Sequence, residues 1–151
     1  LLIDSLPGLQ DGTLAQVQQD EQCATLTRPL LKADGWIDWS QSAHQIERQV
    51  RAMWDWPRSW STLGGAQVQI HRASVDDSPA TGTPGSVTTK NGMPMVATGG
   101  GHLRIEVAQT AGGKPLPGAL WLQQSGADEE VLGLMGTPEA SLLPLIRSVA
   151  D

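Results

Sequence analysis

Three histidines, one cysteine and a run of acids are the residues best suited to chemistry in this 151-residue chain. His44, His71 and His102 lack the i, i+4 spacing with which a helix presents a zinc pair, and neither Cys nor carboxylate completes a ligand set around them. No metal site is expected. Cys23 is the single cysteine, which excludes a disulfide framework and an all-cysteine metal site, and no base stands beside it in sequence to activate a thiol. Asp128-Glu129-Glu130 resembles a carboxylate pair, but acids at a helix start are explained more simply by the helix macrodipole. Serine is plentiful, yet no G-x-S-x-G elbow is present. Gly99-Gly100-Gly101 lacks both the Walker lysine and the last glycine of the dinucleotide fingerprint, so it reads as a turn between strands. No catalytic residue emerges from these patterns.

Tryptophan and arginine offer a different chemistry. There are six Trp and no Phe or Tyr, and Trp36, Trp39, Trp54, Trp56 and Trp60 are interleaved with Arg48, Arg51 and Arg58. Indole beside guanidinium holds single-stranded nucleic acid by stacking and phosphate pairing. It also plugs a small barrel that has no other large aromatic. Core packing is the expected role of Trp36, Trp39 and Trp56, and the roles of Trp54 and Trp60 stay open. Net charge is −6, which excludes a protein built wholly around gripping phosphate. Residues 28–114 nevertheless carry nine bases against seven acids, whereas both flanking stretches are acidic. The middle is the one stretch where a polyanion is welcome, and only mildly.

The elements that must position these residues are legible from periodicity. Leu2, Leu6 and Leu9 mark a short helix ended by Gly12, interrupted by Pro7 and too short to stand unpacked. Residues 13–34 read as a surface linker. Ser42 and Gln45 form a capping box, with Ala43, Ile46, Val50 and Met53 on one face, which predicts a helix over 42–54 that stops before Pro57. The period then changes to two. Runs at 59–63 and 67–73 flank Gly64-Gly65, runs at 86–89 and 93–98 flank Asn91-Gly92, and a fifth run covers 102–108. Residues 74–83 read as a loop, and 116–124 as one or two helical turns. About five short antiparallel strands close most economically as a small barrel filled by Val68, Ile70, Val87, Met95, Val96, Leu103, Ile105 and Val107. Met95 and Val96 are neighbours, so only one obeys the alternation unless a bulge intervenes. Thr137-Pro138-Glu139 predicts a last helix over 142–149. No apolar run approaches the roughly 18 residues of a membrane span, and no signal peptide opens the chain. A soluble cytoplasmic protein is expected and, with Leu1 in place of Met, one cut from something longer.

Two stretches carry a resemblance. Lys32-Ala33-Asp34-Gly35-Trp36-Ile37-Asp38-Trp39-Ser40, followed by Arg51-Ala52-Met53-Trp54-Asp55-Trp56-Pro57, resembles the K-x-D-G-x-I-D-W-S and R-A-x-x-x-W-P pattern of the C-terminal domain of methionyl-tRNA formyltransferases. Residues 1–7 and 19–25 are similar to that family's last N-domain helix and linker. Pro84-Gly85-Ser86-Val87 and Gly113-Lys114-Pro115 are similar to the opening and closing segments of its barrel.

The resemblance implies a mainly β fold with flanking helices: an OB-like antiparallel barrel at 35–125, preceded by a helix. It makes 1–12 the terminal helix of a missing formyltransferase domain, 13–34 the linker and 126–151 a helical extension. The family transfers a formyl group from 10-formyltetrahydrofolate to initiator methionyl-tRNA. Its catalytic Asn, His and Asp and its cofactor site belong to the missing domain, so this chain alone is expected to be inactive and to hold no cofactor. Asp4, Asp11 and Asp20 do not inherit the catalytic aspartate's role. The implied task is weak positioning of initiator tRNA through Arg48, Arg51, Arg58, Lys90, Arg104 and Lys114, with no membrane partner. The alternatives are a sister formyltransferase or hydrolase acting on nucleotide sugars or formylfolate, and a free-standing OB-type nucleic-acid-binding module.

Overall fold

The computed structural model describes residues 2–15, 17–128 and 130–133. Helix α1 (Leu2–Gln10) runs through Pro7 and stops before Gly12, which has a φ of 68°. None of its residues is buried, and Ile3 is 80% exposed. The leucine-faced helix thus lacks the support its length requires among the described residues. Two short 3₁₀ turns, Glu21–Cys23 and Lys32–Gly35, punctuate the otherwise exposed linker. Helix α2 (Ala43–Ala52) begins as its sequence predicts: Ser42 accepts the Gln45 N–H, and the Gln45 side chain accepts the Ser42 N–H at 3.1 Å. Its buried face is Ala43, Ile46 and Val50.

The strands are β1 (Ser59–Leu63), β2 (Ala66–Asp76), β3 (Val87–Lys90), β4 (Met93–Ala97), β5 (His102–Thr110) and β6 (Leu116–Pro117), with helix α3 (Gly118–Ser125) after them. All strand pairings are antiparallel, in the order β1-β2-β5-β4-β3, and β6 adds to β5. Asn91 and Gly92 turn β3 into β4 with φ of 54° and 73°, the left-handed pair that a two-residue hairpin requires. β2 extends through Ser74, Val75 and Asp76, which the sequence reading assigned to a loop, because β5 pairs with them up to His102.

The sheet is barrel-like but not closed, since no ladder joins β1 to β3 among the described residues. Its seam is covered by other segments. Ile37 donates to the Trp60 carbonyl beside β1. On the far side Val87 donates to Glu130, Leu132 to Gly85 and Gly133 to Thr62, each at 2.8 Å, so residues 130–133 span from the start of β3 to β1. Asp128 and Glu130 therefore lie beyond the C-terminal cap of α3 and open no helix, correcting the macrodipole reading; Asp128 accepts the Thr89 hydroxyl instead. The helix expected over 142–149 lies outside the described residues.

The core joins α2, the inner sheet face and α3 through Ile46, Val68, Ile70, Leu103, Ile105 and Trp121, with Ala127 and Leu132 in the same cluster. Seven of the eight expected filling residues are buried. Val107 is the exception, and Ala108 takes the inward place. Register shifts opposite Ile70 to Ala73 change which side of β5 faces inward. Met95 and Val96 are both buried without a bulge in β4, because Val96 joins the core while Met95 lies on the other face, beneath Ser78, Thr81 and His102.

Candidate nucleic-acid interface

The nine-residue stretch from Lys32 to Ser40 works by folding the chain back onto β1. Asp34 takes both guanidinium nitrogens of Arg28 at 2.7 and 2.6 Å and the Leu31 N–H at 2.7 Å. These donors hold its carboxyl at a pKa of about 2. A Cβ on Gly35 would overlap the Arg58 carbonyl oxygen, so only glycine permits this approach. Trp36 meets Trp60 edge to face at 4.8 Å between ring centres. Trp39 is buried and donates to Ser61 at 3.0 Å, while Trp60 donates to the Lys32 carbonyl. Asp38 accepts the Ser40 N–H and hydroxyl, which lower its pKa. The segment is architectural.

Trp56 is not in the core. It is 60% exposed and Trp54 is 67% exposed, because the chain leaves α2 in a tight loop whose buried members are Pro57 and Ser59 instead. The Arg58 N–H donates to the Met53 carbonyl at 3.0 Å, and Arg58 itself sits at φ 67°, a conformation few non-glycine residues adopt. Its guanidinium donates to His71 Nδ1 at 3.3 Å. His71 Nε2 in turn meets the Gln109 side-chain oxygen at 2.9 Å, and the Gln109 amide donates to the Gly113 carbonyl at 2.9 Å. Arg58 lies nearly as close to Nε2, at 3.4 Å, and so does not choose between the ring nitrogens; the Gln109 oxygen does, because its amide is committed to Gly113, and the neutral imidazole carries its proton on Nε2. Burial pushes the His71 pKa below its ordinary value, Gln109 pulls it back, and Arg58 lowers it further. This polar chain links Arg58 to the turn that carries Lys114.

The six expected binding residues divide into groups. Arg51 lines a cleft of about 270 Å³ between α2 and β2, with Glu47, Val50, Trp54, His71, Arg72 and Ala73, and Arg58 touches its His71 wall. Arg48 is exposed on α2 and donates to the carbonyl of His44 on its own helix. Arg104 and Lys114 are exposed and pair with no carboxylate among the described residues. Lys90, beside the Asn91-Gly92 turn, does not project freely. It reaches across a shallow cleft over Met95 and His102 to Asp76 at 2.8 Å, and that ion pair, with Ser78, holds the Asp76 carboxyl well below the usual carboxylate range. Arg72 was not singled out from sequence. It pairs with Glu106 at 2.7 Å and enters the Arg51 cleft only through the register shift in β2.

No group of His, Cys, Asp and Glu among the described residues is arranged to hold a metal ion, and no described helix is long and apolar enough to cross a membrane. The described residues form an open antiparallel sheet braced by α2, with Arg48, Arg51, Arg104 and Lys114 exposed on its surface. The chain belongs to the formyl transferase C-terminal domain family, which matches residues 29–126. It is 38% identical over 135 residues to a methionyl-tRNA formyltransferase of Chloroflexus aggregans, covering 88% of this chain and 44% of the relative. Another methionyl-tRNA formyltransferase, from Pseudomonas paraeruginosa, is 40% identical over 117 residues, covering 76% of this chain and 37% of the relative. The chain thus spans less than half the length of these curated relatives. Among solved structures, HypX from Aquifex aeolicus in complex with tetrahydrofolic acid matches with a TM-score of 0.57 and 21% identity, over 85% of this chain and 23% of that one, a likeness of fold.

Proposed function

We propose that this chain is the OB-like tRNA-positioning domain of a cytoplasmic methionyl-tRNA formyltransferase, which transfers a formyl group from 10-formyltetrahydrofolate to initiator methionyl-tRNA. The observation that carries the reading is the 38% identity to such an enzyme over 88% of the chain. The formyl-transfer machinery and the folate site are assigned to an N-terminal domain, onto which the bare apolar face of α1 docks. The positioning surface is electrostatic and modest, formed by Arg48, Arg51, Arg58, Lys90, Arg104 and Lys114. Several of these already engage protein acceptors, so a phosphate gains only part of their charge.

The test is a titration of labelled initiator tRNA with the 151-residue chain at several salt concentrations. A log–log salt slope of about −2 to −4 is expected, at about 0.9 per phosphate neutralised on duplex. Lys114→Ala and Arg51→Ala should each make the slope shallower by roughly 1. Binding indifferent to salt and to both substitutions removes the tRNA-facing role. The chain by itself should give no formyl transfer to methionyl-tRNA when 10-formyltetrahydrofolate is supplied.

A further inference from the structure

The cleft between α2 and β2 has the walls and rim of a receptor for a flat, anionic group. The Trp54 indole, from the loop after α2, and the His71 imidazole, from β2, both line it. Val50 and Ala73 make its floor apolar, while Arg51 and Arg72 stand at the opening. The exposure of Trp54 is built in. The loop that presents it is tied by the Arg58 N–H to Met53 and wedged where Gly35 meets the Arg58 carbonyl. Arg58 holds the left-handed conformation there and spends its guanidinium on His71, so the imidazole wall is held from behind. Such strain persists only where the surroundings over-determine it, and it concentrates at ligand clamps.

We infer that this cleft holds one unpaired nucleotide of an RNA, with the base against Trp54 and the adjoining phosphate between Arg51 and Arg72. The inference rests on the proposed tRNA-positioning role and narrows it to a site and a ligand class. Charge argues for a phosphate: two guanidiniums, of Arg51 and Arg72, line the cleft with one carboxylate, Glu47, while Arg58 lies behind His71 and Glu106 pairs with Arg72. Arg51 and Arg72 meet Glu47 and Glu106 through Nε, at 3.2 and 2.7 Å, and a phosphate offers their terminal N–H groups a further acceptor. The remaining acceptor oxygen of Glu47 can take a hydrogen bond from an exocyclic amino group. A base-paired nucleotide cannot enter, because its face is stacked on its neighbours. The cleft therefore selects unpaired positions, and stacking makes it tolerant of base identity.

The experiment uses the 151-residue chain with a 5′-phosphorylated single-stranded RNA hexamer carrying one 2-aminopurine, the same sequence as a duplex, and whole tRNA. The single strand should bind more tightly than the duplex, with 2-aminopurine fluorescence quenched on stacking. Trp54→Leu should weaken single-strand binding about tenfold and abolish the quenching while leaving the salt slope unchanged. Trp54→Phe should stay within about threefold of the parent, because a stacking face remains. Arg72→Ala should instead make the salt slope shallower by about 0.7. Salt-dependent tRNA binding that ignores Trp54→Leu, or equal affinity for duplex and single strand, overturns the cleft and leaves the tRNA reading standing. Failure of the chain to bind either hexamer or tRNA overturns both. Unchanged RNA binding with a lowered melting temperature of the full-length enzyme on Trp54→Leu overturns the nucleotide site in favour of a contact between domains.

Discussion

Asp34 and His71 are two residues whose surroundings change their chemistry. Arg28 and the Leu31 N–H hold Asp34 ionised to a pKa of about 2. A carboxyl lowered in this way contributes stability that is present above the ordinary value of 3.8 and lost as pH falls toward 2. Carbonyl-carbon NMR should show Asp34 titrating near pH 2, and Arg28→Ala should move it most of the way back, with Leu31 retaining a remnant. His71 carries the same sign. Its folded pKa lies below the ordinary value of 6.5, so the stability tied to its neutral form is complete above 6.5 and is lost as pH falls below it. Nitrogen-15 spectra should show Nδ1 unprotonated at neutral pH. Arg58→Gln should raise the His71 pKa by removing a neighbouring charge, and Gln109→Leu should lower it further by removing the acceptor that favours the imidazolium.

At the scale of elements, local rules predicted α2 well because each of its signals agrees. Ser42 and Gln45 cap it reciprocally, and its apolar residues return on the 3.6-residue period. Ser42→Ala should cost about 1 kcal/mol in chemical denaturation. The loop after it was misread at Trp56 for a physical reason. A large aromatic in a chain without Phe or Tyr reads as core filler, but the loop buries Pro57 and Ser59 and turns the indole outward. Gly35 shows the converse, a residue with no visible signal until its contact is known. Gly35→Ala forces a methyl group into the Arg58 carbonyl and should cost about 1–3 kcal/mol, a range that overlaps that of the cap. If the cleft depends on this wedge, the same substitution should also weaken the single-strand preference.

For the molecule as a whole, the decisive feature is how the open sheet is covered. β1 and β3 are both edges, and an uncovered edge is a template for aggregation. Residues 36–37 lie along the first, and residues 130–133 run between the two, with Leu132 seated in the core. Leu132→Ala should cost about 2–4 kcal/mol in denaturant melts, although the residue lies outside the strands of the sheet. Deleting residues 127–151 should expose the seam and promote self-association, which light scattering would register.

By itself the sequence determined the order of helices and strands among the described residues, the hairpin at Asn91-Gly92 and most of the filling residues. These follow from interactions between neighbours a few residues apart, and spacing records them directly. The family signature was legible as well, though its physical role of folding residues 32–40 onto β1 was not. Only the tertiary structure decided that Trp54 and Trp56 face solvent, that Lys90 is paired with Asp76, and that Arg51, Trp54, His71 and Arg72 meet in one cleft. The ion pair and the cleft depend on residues 14 or more apart brought together by register, and the exposure of the two indoles on the loop that ties Arg58 to Met53 and packs against Gly35. Register across a sheet is set by the summed packing of all its strands, and no single segment carries that sum.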